Sequence, residues 1–150
     1  MAYLISVWDS NVSATDSYML TEKNNVEDLV NKAVKDYLWF LKDDVKDLEG
    51  LIKEHISCPA QEEVESSKKP LLFELELEEE NLEKYGFDTN EYFPLVGGSI
   101  IKLENNPKFN EFCKSLDKLE PEKLVSGEDF FPEYREEVQR LYEMMEFGEE

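Results

Sequence analysis

Apolar residues recur at helical spacing through residues 25–56: Val26, Leu29, Val30, Ala33, Val34, Tyr37, Leu38, Leu41, Val45, Leu48, Leu51, Ile52 and Ile56. Steps of three and four put them on one face, so the pattern predicts a long amphipathic helix around which the chain is organised. Asn25 stands where an N-cap belongs, and Glu27 and Asp28 follow in the first turn, beside the positive end of the helix dipole. A bend or break is expected near Lys42-Asp43-Asp44, and a weak point at Gly50, where helix propensity is lowest.

The flanking segments carry a different period. Residues 2–8, AYLISVW, and 17–21, SYMLT, are rich in strand formers and predict two strands joined by a polar loop. Residues 57–70, SCPAQEEVESSKKP, have no periodicity and are bracketed by prolines, which predicts a surface loop. PLLFELELEEE alternates strictly: Leu71, Phe73, Leu75 and Leu77 belong to one face, and Glu74, Glu76 and Glu78 to the other. Residues 79–90 form a polar connection with a helical turn expected around Leu82–Tyr85. EYFPLV-GG-SIIKLE is expected to be a hairpin turning at Gly97-Gly98, with Pro94 confining its first strand to a sheet edge.

The last third is expected to be helical. Asn106-Pro107 predicts a helix start whose apolar face is Phe109, Phe112, Cys113, Leu116 and Leu119. A second helix from Asp129–Pro132 would bury Tyr134, Val138, Leu141 and Met145. The expectation is an α+β fold in a single domain over residues 1–150, with order ββαβββαα. Its mostly antiparallel sheet of about five strands packs against one long helix and two shorter C-terminal helices.

Composition agrees with a folded chain and adds one anomaly. Hydrophobic residues make up 41% of 150 residues, enough for a core. Thirty-six Asp and Glu oppose sixteen Lys and Arg, a formal net charge of −20. Such a surface repels nucleic acid and anionic membranes and attracts basic partners. Adaptation to high salt is disfavoured, because Glu far outnumbers Asp and fourteen lysines remain. No apolar run approaches the length of a membrane span, and MAYLISVWDS has no secretory n-region or cleavage site. Cys58 and Cys113 are then expected to be reduced thiols in a cytoplasmic protein.

Candidate chemistry is sparse. Asp9, Asn11, Ser13 and Thr15 alternate like a calcium loop, but Ala14 and Leu20 replace the required Gly and Glu. His55 and Cys58 share an H-x-x-C spacing that lacks the further ligands of a zinc site and the partners of a nucleophilic pair. No phosphate loop or nucleophile elbow is present. The expectation is a non-enzyme with no cofactor and no metal.

The acidic surface is the remaining signal. Alternate strand residues repeat at about 6.6–6.8 Å, a spacing comparable to that between phosphates of a nucleic-acid strand. Glu74, Glu76 and Glu78, extended by Glu79, Glu80 and Glu83, form one candidate protein-binding surface. Glu133, Glu136, Glu137 and Glu143 on the last helix form another. The expected function is an acidic inhibitor that mimics nucleic acid and blocks a basic nucleic-acid-binding protein, such as a nuclease, restriction enzyme or CRISPR effector. An immunity protein against a cognate nuclease toxin is the near alternative. An adaptor or subunit binding through aromatic residues (Trp8, Trp39, Phe40, Tyr92, Phe93, Phe130, Phe131) is a second, although Trp39 and Phe40 are expected to pack into the core beneath the long helix.

Overall fold

The computed structural model describes residues 3–10, 17–105, 107 and 123–126. It is an α+β structure built on an antiparallel sheet of six strands: β1 (Tyr3–Asp9), β2 (Ser17–Thr21), β3 (Ile56–Ser57), β4 (Leu71–Leu75), β5 (Val96–Lys102) and β6 (Val125–Ser126). The strand order is β3-β4-β5-β1-β2-β6, with two-residue strands at both edges. Four helices lie between the strands in sequence: α1 (Val26–Tyr37), α2 (Leu48–His55), α3 (Gln61–Ser66) and α4 (Glu79–Lys84). The helices expected after Asn106 lie outside the described residues, apart from Pro107, which is helical.

The sheet registers sort every strand residue onto one of two faces. Leu71, Ile100, Ile5 and Met19 form one cross-strand row, and Phe73, Gly98 and Val7 the next. This face packs against Val26, Leu29, Val30, Ala33 and Val34 of α1 and Leu48, Leu51 and Ile52 of α2 to make the core. The opposite face is also buried at its centre, at Leu4, Tyr18 and Ile101. Central strands buried on both faces explain why AYLISVW is almost continuously apolar where a half-solvated strand would alternate.

The long helical stretch is interrupted near the expected place. α1 begins as anticipated, with Asn25 Oδ1 accepting from Asp28 N–H at 3.1 Å. It ends at Tyr37, a 3₁₀ turn follows at Trp39–Leu41, and α2 restarts at Leu48. Asp47 caps that restart from a left-handed backbone, φ 52°, by accepting from Gly50 N–H. Aspartate tolerates this conformation and favours caps because its carboxylate bonds the nearby backbone. Gly50 lies inside α2, which runs through it unbroken. A Cβ there would collide with the Asp47 carboxylate, so the glycine makes room for the cap.

Two further expectations are corrected. Residues 57–70 are not a plain loop, because they contain Ser57 of β3 and the whole of α3. The signal was too short to read: α3 has six residues and buries only Val64, so it shows no period. Gln61 locks it in place, accepting from Val26 N–H at 2.7 Å and donating to the Asn24 carbonyl at 2.6 Å. The hairpin at Gly97-Gly98 does not exist. Both glycines lie inside β5, a central strand between β4 and β1, and neither has positive φ. Pro94 precedes this strand and marks no edge. The glycines serve close packing instead: the Phe73 ring covers Gly98 on the core face, and the Trp8 indole covers Gly97 on the other.

Candidate protein-binding surface

The acidic candidates between residues 74 and 83 are all exposed. Their geometry is not one straight row. β4 ends at Leu75, so only Glu74 keeps the strand spacing, on the face opposite Phe73 and Leu75. Glu76 follows the strand, with its N–H bonded to the His55 carbonyl at 3.2 Å. Glu78 stands at the start of α4, where the Asn81 side chain accepts from its N–H at 2.9 Å. Glu79 and Glu80 fill the first turn of α4, near the positive end of its dipole, and Glu83 lies in the same helix. The helix stops in a Schellman arrangement, with Gly86 at φ 77° and bonds from Gly86 N–H to Glu83 and Phe87 N–H to Leu82. The chain thus turns the acidic run from a strand into a short helix.

Among the described residues, Glu74, Glu76, Glu79, Glu80 and Glu83 make no ion pair. Two of the ion pairs that do form run between helices, Lys35–Glu49 at 3.4 Å from α1 to α2 and Lys84–Glu54 at 3.6 Å from α4 to α2, while Lys32–Asp36 and Lys53–Glu49 lie within α1 and α2. Glu54 also accepts from the Tyr85 hydroxyl, and that bond together with Lys84 lowers its carboxyl below the usual range. Lys32, Lys35, Lys53 and Lys84 thus pair within the α1–α2–α4 layer. The carboxylates of residues 74–83 are left without a direct ion-pair partner among the described residues, although Lys84 shares the short helix α4 with Glu79, Glu80 and Glu83. Glu133, Glu136, Glu137 and Glu143, the second acidic candidate, lie outside the described residues.

The exposed apolar residues differ from expectation. Trp39 is 67% and Phe40 50% exposed, and their rings meet edge-on at 6.4 Å on the surface. The 3₁₀ turn that ends α1 points Leu41 inward and leaves the two preceding aromatics outside. Tyr92, Leu72 and Leu95 are exposed as well. Phe93 is partly buried and packs edge-on against Phe87 at 5.2 Å, so it belongs to the core. Phe130 and Phe131 lie outside the described residues. Sequence periodicity could not separate Trp39 and Phe40 from the helix face, because the change from α to 3₁₀ geometry falls at Leu38.

His55 and Cys58 remain apart in role. Cys58 Sγ donates to the Pro59 carbonyl at 3.4 Å and the residue packs on the core. Burial, with a smaller effect from Glu27, pushes its thiol up to about 11. A nucleophilic cysteine needs the opposite shift. In a Cys113→Ser variant, Cys58 is therefore expected to react with iodoacetamide at pH 8 about a hundredfold more slowly than a free thiol, which titrates near 8.5. The rate should climb until pH 11. A plateau near pH 8.5 would contradict the burial. The sign of the linkage follows: the neutral thiol favours the fold below about pH 9, and this contribution is lost as pH rises through 11. Asp9, the first position of the calcium-like pattern, accepts from the Leu95 N–H at 3.1 Å and from the Tyr92 hydroxyl, so it fastens the segment entering β5.

No helix among the described residues is long and apolar enough to cross a membrane. Comparison with protein-family models, with curated proteins and with solved structures finds no match to this chain.

Proposed function

We propose that this chain is an acidic inhibitor acting in the cytoplasm, which binds a basic nucleic-acid-handling protein and excludes its nucleic acid. The observation that carries this reading is the exposed acidic run from Glu74 to Glu83, six glutamates in ten residues, in a chain of net charge −20. A basic cleft evolved for phosphates would meet these carboxylates as a substitute for a nucleic-acid backbone, and the long-range field would speed encounter. A nuclease, restriction enzyme or CRISPR effector offers such a cleft. A nuclease toxin neutralised by its immunity protein offers the same chemistry. The chain itself is expected to bind neither nucleic acid nor anionic membrane.

A second reading rests on the exposed Trp39–Phe40 pair. Aromatic residues that project into solvent are favoured anchors of protein interfaces, and an adaptor could bind through them without using the charge.

Capture of partners on the tagged chain, eluted by a rising NaCl gradient, separates the readings. A nucleic-acid-binding protein released as salt screens the field supports the inhibitor. A partner without a basic cleft, held through high salt and lost from a Trp39→Ala/Phe40→Ala variant, overturns it in favour of the adaptor.

A further inference from the structure

The register of the sheet places Ser57, Glu74, Gly97 and Trp8 side by side in one cross-strand row, on the face away from α1 and α2. Neighbouring strands lie about 4.8 Å apart, so Glu74 and Trp8 stand about 10 Å apart across a residue with no side chain. The indole leans into that gap: its Nε1 lies 3.2 Å from where a Cβ on Gly97 would be. Trp8 is half-buried, and among the described residues its N–H has no hydrogen-bond partner. Two leucines on the same face flank the row. Leu72, two residues before Glu74 on β4, is 72% exposed, and Leu95, two residues before Gly97, is 52% exposed. Glu76 is exposed just beyond.

This combination differs from solvated charge. A solubilising strand face carries polar residues between its carboxylates, whereas here the carboxylate stands between exposed leucines and an indole. Three chemistries converge: a negative charge, an aromatic surface and aliphatic flanks. An arginine side chain matches all three. Its guanidinium pairs two-pronged with a carboxylate, stacks on an aromatic ring, and its methylene stem covers apolar surface. A lysine matches the charge but neither pairs two-pronged nor stacks as well.

We propose that the outer sheet face formed by Trp8, Leu72, Glu74 and Leu95 is a receptor for an arginine side chain of the basic partner. The inference rests on the inhibitor reading above and names the contact that gives it specificity. Diffuse charge steers the encounter, and this row selects an arginine once the surfaces meet.

The test uses the full chain with Trp39→Phe, which leaves Trp8 as the one tryptophan. Nona-arginine and nona-lysine are titrated in 50 mM NaCl while emission is followed. Nona-arginine is expected to shift Trp8 emission saturably, and nona-lysine to bind with little change. Glu74→Gln should weaken nona-arginine about fivefold, and Glu62→Gln, at an exposed glutamate of α3, less than about twofold. Both glutamates are exposed, and circular dichroism checks that the variants keep the fold. Silent Trp8 emission, or equal effects of the two glutamine variants, overturns the receptor. If salt-sensitive peptide binding persists in that case, the acidic-surface reading still stands. Loss of every basic partner in the capture experiment would instead remove the reading on which the receptor depends.

Discussion

Gly98→Ala is expected to cost about 3 kcal/mol of stability, the upper range for overpacking a well-filled site. The new Cβ would fall well inside contact distance of both the Phe73 ring and the Ser6 carbonyl oxygen. The ring could rotate away only by leaving the core it fills at 2% exposure. The carbonyl belongs to the backbone of β1, paired on both sides, and cannot retreat without breaking a ladder. For a chain of this size the loss is a fall of about 6–12 °C in Tm. Gly97→Ala is the control. Its Cβ would meet the edge of the half-exposed Trp8 indole at 3.2 Å, and a side chain there can shift by a few tenths of an ångström. A cost below about 1 kcal/mol is expected. Equal effects at the two positions would contradict the packing described for β5.

Reversing Glu74, Glu76, Glu80 and Glu83 to Lys should weaken partner binding about a hundredfold or more. The four reversals change the net charge by eight, from −20 to −12. The same change made at Glu22, Glu62, Glu63 and Glu65, all exposed, serves as the control and should cost about tenfold at most. Electrostatic contacts at an interface are local, while steering depends on the whole field, so the difference between the two sets measures the local part. Glu78 and Glu79 stay unchanged because they are the N-cap and the first residue of α4. Folding stability should change little, since the reversed carboxylates make no ion pair among the described residues and surface charges contribute little alone. Binding lost equally in both variants would make net charge, and not this surface, the determinant.

Long periodic segments were legible in the chain. α1, its Asn25 cap, the first two strands and the apolar face of β4 all follow from spacing, because many residues repeat one requirement. Short elements were not. α3 and the two-residue strands β3 and β6 are stabilised by tertiary partners such as Gln61 bonding the start of α1, and those partners are distant in sequence. Gly97-Gly98 misled for a related reason. Paired glycines satisfy a tight turn and a close approach of aromatic rings equally well, and only the three-dimensional register distinguishes them. At the candidate surface, the acidic character of residues 74–83 was plain, but its turn from strand into helix was hidden because LELEEE continues the alternation past Leu75. The row of Glu74, Gly97 and Trp8 joins three strands and had no linear signal at all.

The most direct measurement is competition for the captured partner. Labelled DNA or RNA is bound to that partner, and this chain is titrated in at 50 and 300 mM NaCl while displacement is followed. Nucleic acid should leave in proportion to the chain bound, with apparent affinity at least about tenfold weaker at the higher salt. A stable ternary complex of partner, nucleic acid and this chain, or binding indifferent to salt, would contradict an acidic inhibitor that occupies the nucleic-acid site.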